Sequence, residues 1–483
     1  MGVWWTARPE SSPYPESGVT HDIILVAQRG RAGHNGGMKK PNILYFVAHD
    51  CGRHLGAYGA RVATPNLDAF ASTAARFDRA FCSSPACSPS RICAMTGLYA
   101  HVSGGVGLAH MGWPLAADVP TIVDRLNDAG YETIHSGMEH ERHPGLNRYQ
   151  VDRQENWDDF RTDVAVDKAL ACLGARDRKR PFYLNVGSQQ PHASTWHRVD
   201  EWHGGAVPPD DVYLPPFLPD RPALRAAFGR FQAAMRFMDA HFGRLIEGLS
   251  RLGHDRDTVV VFTTDHGIAA PRAKGTLYER GVETALLIRM PDGVCAGAAI
   301  DRLTPNIDLV PTLLEAAGAD VPANLPGRSF WPLLRGRPCA AHDAIFTERN
   351  FHGEQRVHGR EGDFIDRYDP VRAVRTDRFH YIRYFDPGVK GQPWLPFETP
   401  VDGIAGEWGL PAPRRPRPEE ELFDVMQDPQ EFVDLAARPE YRAAKADLSA
   451  RLRRWMEETD DFALRGDVPR RPEPPGWGPW EGR

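Results

Sequence analysis

The residues able to do chemistry fall into a few short runs. His49-Asp50, Gly137-Met138-Glu139-His140-Glu141, Gln190-Pro191-His192 and Thr264-Asp265-His266-Gly267 each follow an apolar stretch, and together they offer two Asp and four His. Carboxylates and imidazoles are ligands for divalent cations, and a cation held among them polarises an oxyanion or activates a bound oxygen nucleophile. A fifth run, Cys87-Ser88-Pro89-Ser90-Arg91, leads into Ile92-Cys93-Ala94-Met95-Thr96-Gly97. Pro89 suits the first turn of a helix and Ser88 its N-cap, which predicts Cys87 just outside a helix N-terminus. Free amides, the positive helix end and the Arg91 fork then face a tetrahedral oxyanion. Cys82, Cys87 and Cys93 lie close together, but not at the spacing of a zinc ribbon.

Such scattered groups need a scaffold that brings them together. Continuous apolar runs of strand length occur at 43–48, 131–135, 182–186, 258–263 and 285–288, with helical patterns at 65–75, 120–129, 224–252 and 307–317. Unbroken apolar strands separated by helices predict an α/β fold whose mainly parallel sheet is buried on both faces and flanked by helices. Ligands bind beyond the carboxyl ends of such strands, where each polar run sits. After about residue 340 the texture changes to a β-hairpin, 371–375 and 379–385, turning at Thr376-Asp377-Arg378, and then a helix at 441–459. The expected organisation is a disordered or misassigned extension at 1–37 with Met38 as the natural start, a catalytic domain at 38–340, a smaller α+β subdomain at 341–464, and a loose tail at 465–483.

Composition narrows the partners. The 483 residues carry 58 Lys and Arg against 64 Asp and Glu, a net charge of −6, with 41% hydrophobic and 25% charged residues. That is a globular composition, its acidic balance argues against a nucleic-acid partner, and no apolar run reaches the ~18 residues of a membrane span. Seven Cys, an odd number, with no secretory signal in view point to a reducing cytoplasm. Only seven Lys occur, against 51 Arg, so Lys274, close behind Asp265-His266, stands out.

Cys-x-Pro-x-Arg followed by Thr-Gly, set between Asp-bearing strand exits, resembles the type I sulfatases of the alkaline phosphatase superfamily. The similarity continues through Pro41-Asn42-Ile43-Leu44, Ala63-Thr64-Pro65-Asn66-Leu67-Asp68, Lys274-Gly275-Thr276-Leu277-Tyr278-Glu279-Arg280-Gly281, Asp308-Leu309-Val310-Pro311-Thr312 and Glu421-Leu422-Phe423-Asp424 to Asp428-Pro429-Gln430-Glu431. It covers about residues 41–460. The resemblance implies an alkaline-phosphatase-like fold and a metal-dependent hydrolase of sulfate esters or sulfamates. It implies that a formylglycine-generating maturase oxidises Cys87 to formylglycine (3-oxoalanine), because an aldehyde hydrate, unlike a serine, has a second hydroxyl with which to expel sulfate. It implies one divalent metal, Ca2+ by family, held by Asp50, Asp265, the Cys87-derived group, His49 and His266. Arg91 and Lys274 would share the sulfate charge, His140 would be the base for sulfate release, and His192 with Lys274 would bind sulfate and protonate the leaving group.

Some positions depart from the family pattern. His49-Asp50 stands where many sulfatases have Asp-Asp, and a second imidazole shifts preference from Ca2+ toward Mn2+ or Zn2+. Gly137-Met138-Glu139-His140 stands where most members have Gly-Lys-x-His, so a supporting cation is replaced by Met138. Leu214-Pro215-Pro216-Phe217-Leu218-Pro219-Asp220 and Asp369-Pro370-Val371-Arg372-Ala373-Val374-Arg375 look most like the heparan N-sulfatase (sulfamidase) branch, which implies a sulfated small molecule or glycan as partner. Glu348, His352 and Arg372 are candidate sugar contacts, though each is better suited to a structural role in solvation or local hydrogen bonding than to holding substrate. Two other readings stay open at this point. One is a phosphonate monoester hydrolase or phosphodiesterase of the same superfamily; the other is a non-catalytic binder of sulfated glycans.

Overall fold

Five strands carry the centre of the molecule: β1 (Asn42–Ala48), β2 (Glu132–Gly137), β3 (Phe182–Ser188), β4 (Thr258–Thr264) and β5 (Leu286–Arg289). The computed structural model describes residues 40–141, 146–351, 368–386, 417–470 and 472. The extension at 1–37, the start expected at Met38, His352 and most of the tail lie outside the described residues. Short edge strands complete an eight-stranded sheet in the order Ala299–Ile300, Ala75–Phe77, β5, β4, β1, β3, β2, Val151–Asp152. β1 runs parallel to β3 and β4, and β2 parallel to β3, as the apolar runs predict. β5 is antiparallel to β4. The chain joining them holds no long crossover helix, only the turn Glu279–Val282, and so doubles back rather than crossing the sheet.

Every residue of β1, β3 and β4 is buried, and the pleat sends neighbours to opposite faces. Ile43, Tyr45 and Val47 of β1 enter one core, and Leu44, Phe46 and Ala48 the other. Helices cover both: α1 (Pro65–Ser72), α3 (Thr162–Ala175) and α4 (Pro222–Arg251) on the Leu44 side, α2 (Cys87–Thr96) and α5 (Leu309–Ala316) on the Ile43 side. α4 buries Phe228, Phe231, Met235, Met238, Phe242 and Leu245 at helical spacing along one face. Its Asp239 is buried too, and accepts from the backbone N–H of Leu67 at 2.8 Å and of Asn66 at 3.1 Å, which explains the Thr64-Pro65-Asn66-Leu67 run: a carboxylate from another helix caps the open end of α1. α1 stops at Ser72, short of the expected 75, because Ala75 already opens an edge strand. Among the described residues no helix is long and apolar enough to cross a membrane.

The C-terminal part is an antiparallel sheet, β6 (Ala344–Phe351), β7 (Tyr368–Thr376), β8 (Phe379–Tyr384) and β9 (Glu420–Asp424) in that order, with α6 (Arg442–Glu458) packed across it. Trp455 of α6 stacks on Phe346 of β6 at 4.9 Å between ring centres. Glu348 and Arg372 face each other across β6 and β7 and are 0% exposed, which removes both from the candidate sugar contacts. Arg372 donates to Asp461 at 2.7 Å, and Glu348 meets the imidazole of His101 at 2.9 Å, so the pair ties the C-terminal sheet to the chain that follows α2. Arg372→Met would leave two buried carboxylates short of their cation, and is expected to lower the unfolding free energy by about 3–5 kcal/mol, read from urea unfolding midpoints.

Candidate active site

Each polar run leaves its strand at the same edge of the sheet. β1 ends in His49 and Asp50, the latter in the left-handed region at φ 51°, a conformation Asp tolerates better than most residues. The Asp50 backbone N–H donates to Asp265 Oδ1 at 2.9 Å, locking the β1 and β4 exits together. Gly267 follows His266 because a Cβ there would lie 1.9 Å from the Arg280 carbonyl oxygen, so only glycine lets the returning chain pack this closely. The return brings Lys274, 1% exposed, to Asp50, where Nζ lies 2.8 and 2.7 Å from the two carboxylate oxygens.

Cys87 does not sit outside its helix. It is the first residue of α2, behind Ala86 as N-cap, and Ser88 caps nothing; its Oγ instead accepts from the Ala109 N–H at 2.9 Å. Pro89 does occupy the first turn, and the helix starts two residues early, with Ala86 in extended backbone as its N-cap. His49, Asp50, Cys87, Asp265 and His266 converge, with ligand atoms all within 4.8 Å of one another and every residue buried. His266 Nδ1 lies 2.9 Å from the Gly267 carbonyl oxygen and must donate to it, which turns Nε2 toward the cluster, 3.3 Å from Asp50 and 3.4 Å from Cys87 Sγ. His49 Nδ1 lies 2.8 Å from Asp50 and 3.3 Å from Asp265. Arg91 Nε donates to Asp265 at 3.2 Å. Cys82 and Cys93 join no metal-ligating group among the described residues.

The electrostatics arise from burying opposite charges together. Burial alone would protonate the carboxylates, but Lys274, His49 and His266 hold Asp50 well below the ordinary range, and His266, His49 and Arg91 hold Asp265 at about 2. Burial would likewise raise the Cys87 thiol, yet Lys274 and His49 bring it well below its usual value. Against the pull of burial, Cys87, Asp265 and Asp50 raise His49 to about 9. The two remaining imidazoles behave differently. Burial takes His140 down to about 3 and His192 well below its ordinary value, so both are neutral at pH 7. His192 Nδ1 accepts from the Ser194 N–H at 3.1 Å, so Nε2 carries the hydrogen, 3.7 Å from Asp50.

Two buried nitrogens of cluster residues, His49 Nε2 and Arg91 Nη2, have no hydrogen-bond partner among the described residues. Unpartnered buried donors beside lone-pair donors fit a site built for an anion and a cation together. All nine residues expected from the sequence therefore meet in one place: Asp50, Asp265, His49, His266, Cys87, Lys274 and Arg91 in contact, His192 against Asp50, and His140 against the edge of His49 at 5.4 Å between ring centres. Met138, at the position of the missing lysine, is 3% exposed and packs as an apolar side chain. Sequence reasoning missed His110. It lies outside every strand exit, and its ring stacks on His140 at 5.5 Å between centres.

Comparison with known proteins matches two family models, Sulfatase over residues 41–319 and N-sulphoglucosamine sulphohydrolase, C-terminal, over residues 267–391. An ulvan-active sulfatase of Formosa agariphila is 27% identical over 88% of this chain and 81% of its own. The N-sulphoglucosamine sulphohydrolase of Homo sapiens is 28% identical over 87% of this chain and 90% of its own. Among solved structures, a protein in complex with its substrate D-glucosamine-2-N,6-O-disulfate matches with a TM-score of 0.67 at 19% identity, covering 88% of this chain and 99% of that one. A phosphonate monoester hydrolase from Silicibacter pomeroyi matches with a TM-score of 0.63 at 20% identity, covering 88% and 96%.

A second buried group, Glu279, His380 and Glu431, also brings ligand-type atoms within 4.8 Å. Its charges are already met: Arg375 Nε donates to Glu279 at 3.0 Å, and Glu431 takes the Glu279 N–H at 2.6 Å and pairs with His380. It acts as a clamp on the chain carrying Lys274. Burial raises the Glu279 carboxyl, but Arg375 overrides this and holds it at about 2. Because that value lies below the unfolded ~4.3, the stabilisation is complete above about pH 4.5 and is lost as pH falls toward 2. Glu279→Gln is expected to be less stable than wild type at pH 7, with a shallower loss between pH 4.5 and 2, measured as urea midpoints against pH.

Proposed function

The chain belongs to the sulfatase family, near its N-sulphoglucosamine sulphohydrolase branch, and is a sulfuric ester hydrolase; we propose that it removes sulfate, as ester or sulfamate, from a sulfated sugar at a formylglycine made from Cys87. The observation that carries this reading is the meeting of Cys87 with two carboxylates, two imidazoles and Lys274 in one buried cluster. Formylglycine, made by a maturase, supplies a hydrated aldehyde whose second hydroxyl allows sulfate to be expelled and the aldehyde restored. A divalent metal supplies positive charge that activates an oxygen nucleophile and offsets the sulfate oxygens.

The chain's own residues divide the remaining work. Asp50, Asp265, His266 and His49 would hold the metal. Arg91, with Nη2 open, and the Lys274 ammonium receive sulfate oxygens. His192 points its Nε2–H at the same place and steadies the leaving group, with Lys274 as the proton source. His140, neutral because it is buried, takes the proton that accompanies sulfate release. Met138 withdraws one cation from the family arrangement, and His49 replaces one carboxylate with an imidazole, so the two departures change the site's charge in opposite directions. Sulfated sugars are the substrates implied by the names of the similar proteins, including an ulvan-active sulfatase and N-sulphoglucosamine sulphohydrolase.

A second reading, hydrolysis of phosphonate monoesters or phosphodiesters, is favoured by Asp265-His266, a pair equally suited to phosphoryl transfer. Parallel assays on an aryl sulfate, N-sulfoglucosamine and a phosphodiester separate the two; phosphodiester turnover without sulfate release would overturn the sulfatase substrate assignment. Protein made with a co-expressed maturase is expected to carry formylglycine at Cys87 by peptide mass spectrometry, and Cys87→Ala to lose turnover while keeping the wild-type melting temperature. An intact thiol in active protein would sink this reading. Two nitrogen donors favour a transition metal. Chelator-stripped protein should therefore be stabilised against heat by Mn2+ or Zn2+ at lower concentration than by Ca2+, and the reverse order would make His49 a bystander.

A further inference from the structure

His110 belongs to no run of site residues predicted from the sequence, yet its ring lies against His140. The two planes are 28° apart with centres 5.5 Å apart, and His140 also meets His49 in a T-shaped contact at 5.4 Å and 75°. His140 Nδ1 has no hydrogen-bond partner among the described residues. A working imidazole is ordinarily aimed by a hydrogen bond to its second nitrogen. Among the described residues, ring packing takes the place of that second hydrogen bond for His140.

The wall bearing His110 is itself fixed to the nucleophile's helix. The Ala109 N–H donates to Ser88 Oγ at 2.9 Å, one residue beyond Cys87. Met111 and Trp113 share an apolar cluster with Cys87 and Phe351, and Trp113 stacks on Phe351 at 4.4 Å between centres. The ring of His110 is thereby referenced to the first turn of α2, the turn that begins with Cys87.

We propose that His110 is a positioning residue: its ring, stacked on His140, fixes the plane in which His140 faces Cys87. The proposal rests on the reading of His140 as the base of sulfate release. Its basis is shape rather than proton exchange, so a flat ring without nitrogen should serve.

The test uses full-length, maturase-treated enzyme with an aryl sulfate, comparing His110→Ala and His110→Phe. His110→Ala is expected to lower kcat about 10–100-fold, the scale of loss for a misaimed catalytic group, with KM changed less than about twofold. His110→Phe should restore kcat to within about threefold of wild type. In a His140→Ala background, His110→Ala should add no further loss, since the two act as a unit. Crystal structures of both variants should show the His140 ring turned or disordered in the first and unmoved in the second. Wild-type kcat in His110→Ala, an equal loss in His110→Phe, or an unmoved His140 in the His110→Ala crystal would each overturn the proposal. Wild-type enzyme that released no sulfate would instead refute the hydrolase reading, while the two crystal structures would still decide whether His110 holds His140.

Discussion

Two carboxylates sit side by side, out of water, at the end of a parallel sheet, and much of the molecule answers that constraint. Asp50 and Asp265 are fully buried, and the backbone of one is hydrogen-bonded to the side chain of the other. An isolated buried carboxylate would simply protonate. Both stay ionised because Lys274, Arg91 and two imidazoles are brought to within about a hydrogen-bond length. Those cations come from three separate parts of the chain, so the sheet, the helix at Cys87 and the loop after β4 have to be in register before the charges balance.

The reversal of β5 serves the same end. A crossover helix after β4 would have carried the chain away across the sheet; the returning loop instead keeps residues 265–281 over the strand exits and delivers Lys274. The C-terminal sheet then holds that loop from outside. Glu431 caps the turn at Glu279, Arg272 donates to the Glu431 carbonyl, and Glu421 receives the hydroxyl of Tyr278 at 2.9 Å. The Glu421-Leu422-Phe423-Asp424 and Asp428-Pro429-Gln430-Glu431 runs therefore act at a distance, by keeping one lysine in place.

Much of this was legible in the residues themselves. Continuous apolar runs predicted β1, β3 and β4 within one or two residues, and the polar residues just beyond the runs included His49, Asp50, His140, His192, Asp265 and His266. The rarity of lysine singled out Lys274. What the sequence hid depends on tertiary packing. Ser88 has the chemistry of an N-cap, but a neighbouring backbone N–H claimed its hydroxyl and the helix began at Cys87. Arg372 and Glu348 were better suited to an internal role than to sugar, and they take one, but only strand register shows that they turn inward toward each other. His110 carried no signal at all, since nothing in its local sequence says that a distant strand exit will present a ring to stack on.

The burial of Cys87 also sets an order in time. Cys87 is 3% exposed and shares an apolar cluster with Met111, Trp113 and Phe351, while the loop that brings Lys274 is capped at Glu279 by Glu431. A modifying enzyme that acts on Cys87 needs to reach it before that cluster closes. If Cys87 is converted as proposed above, the window for conversion would open as residues 87–91 leave the ribosome and end when the last third of the chain folds against them, so conversion would compete with folding, and conditions that speed folding would leave more of the protein with an unmodified thiol.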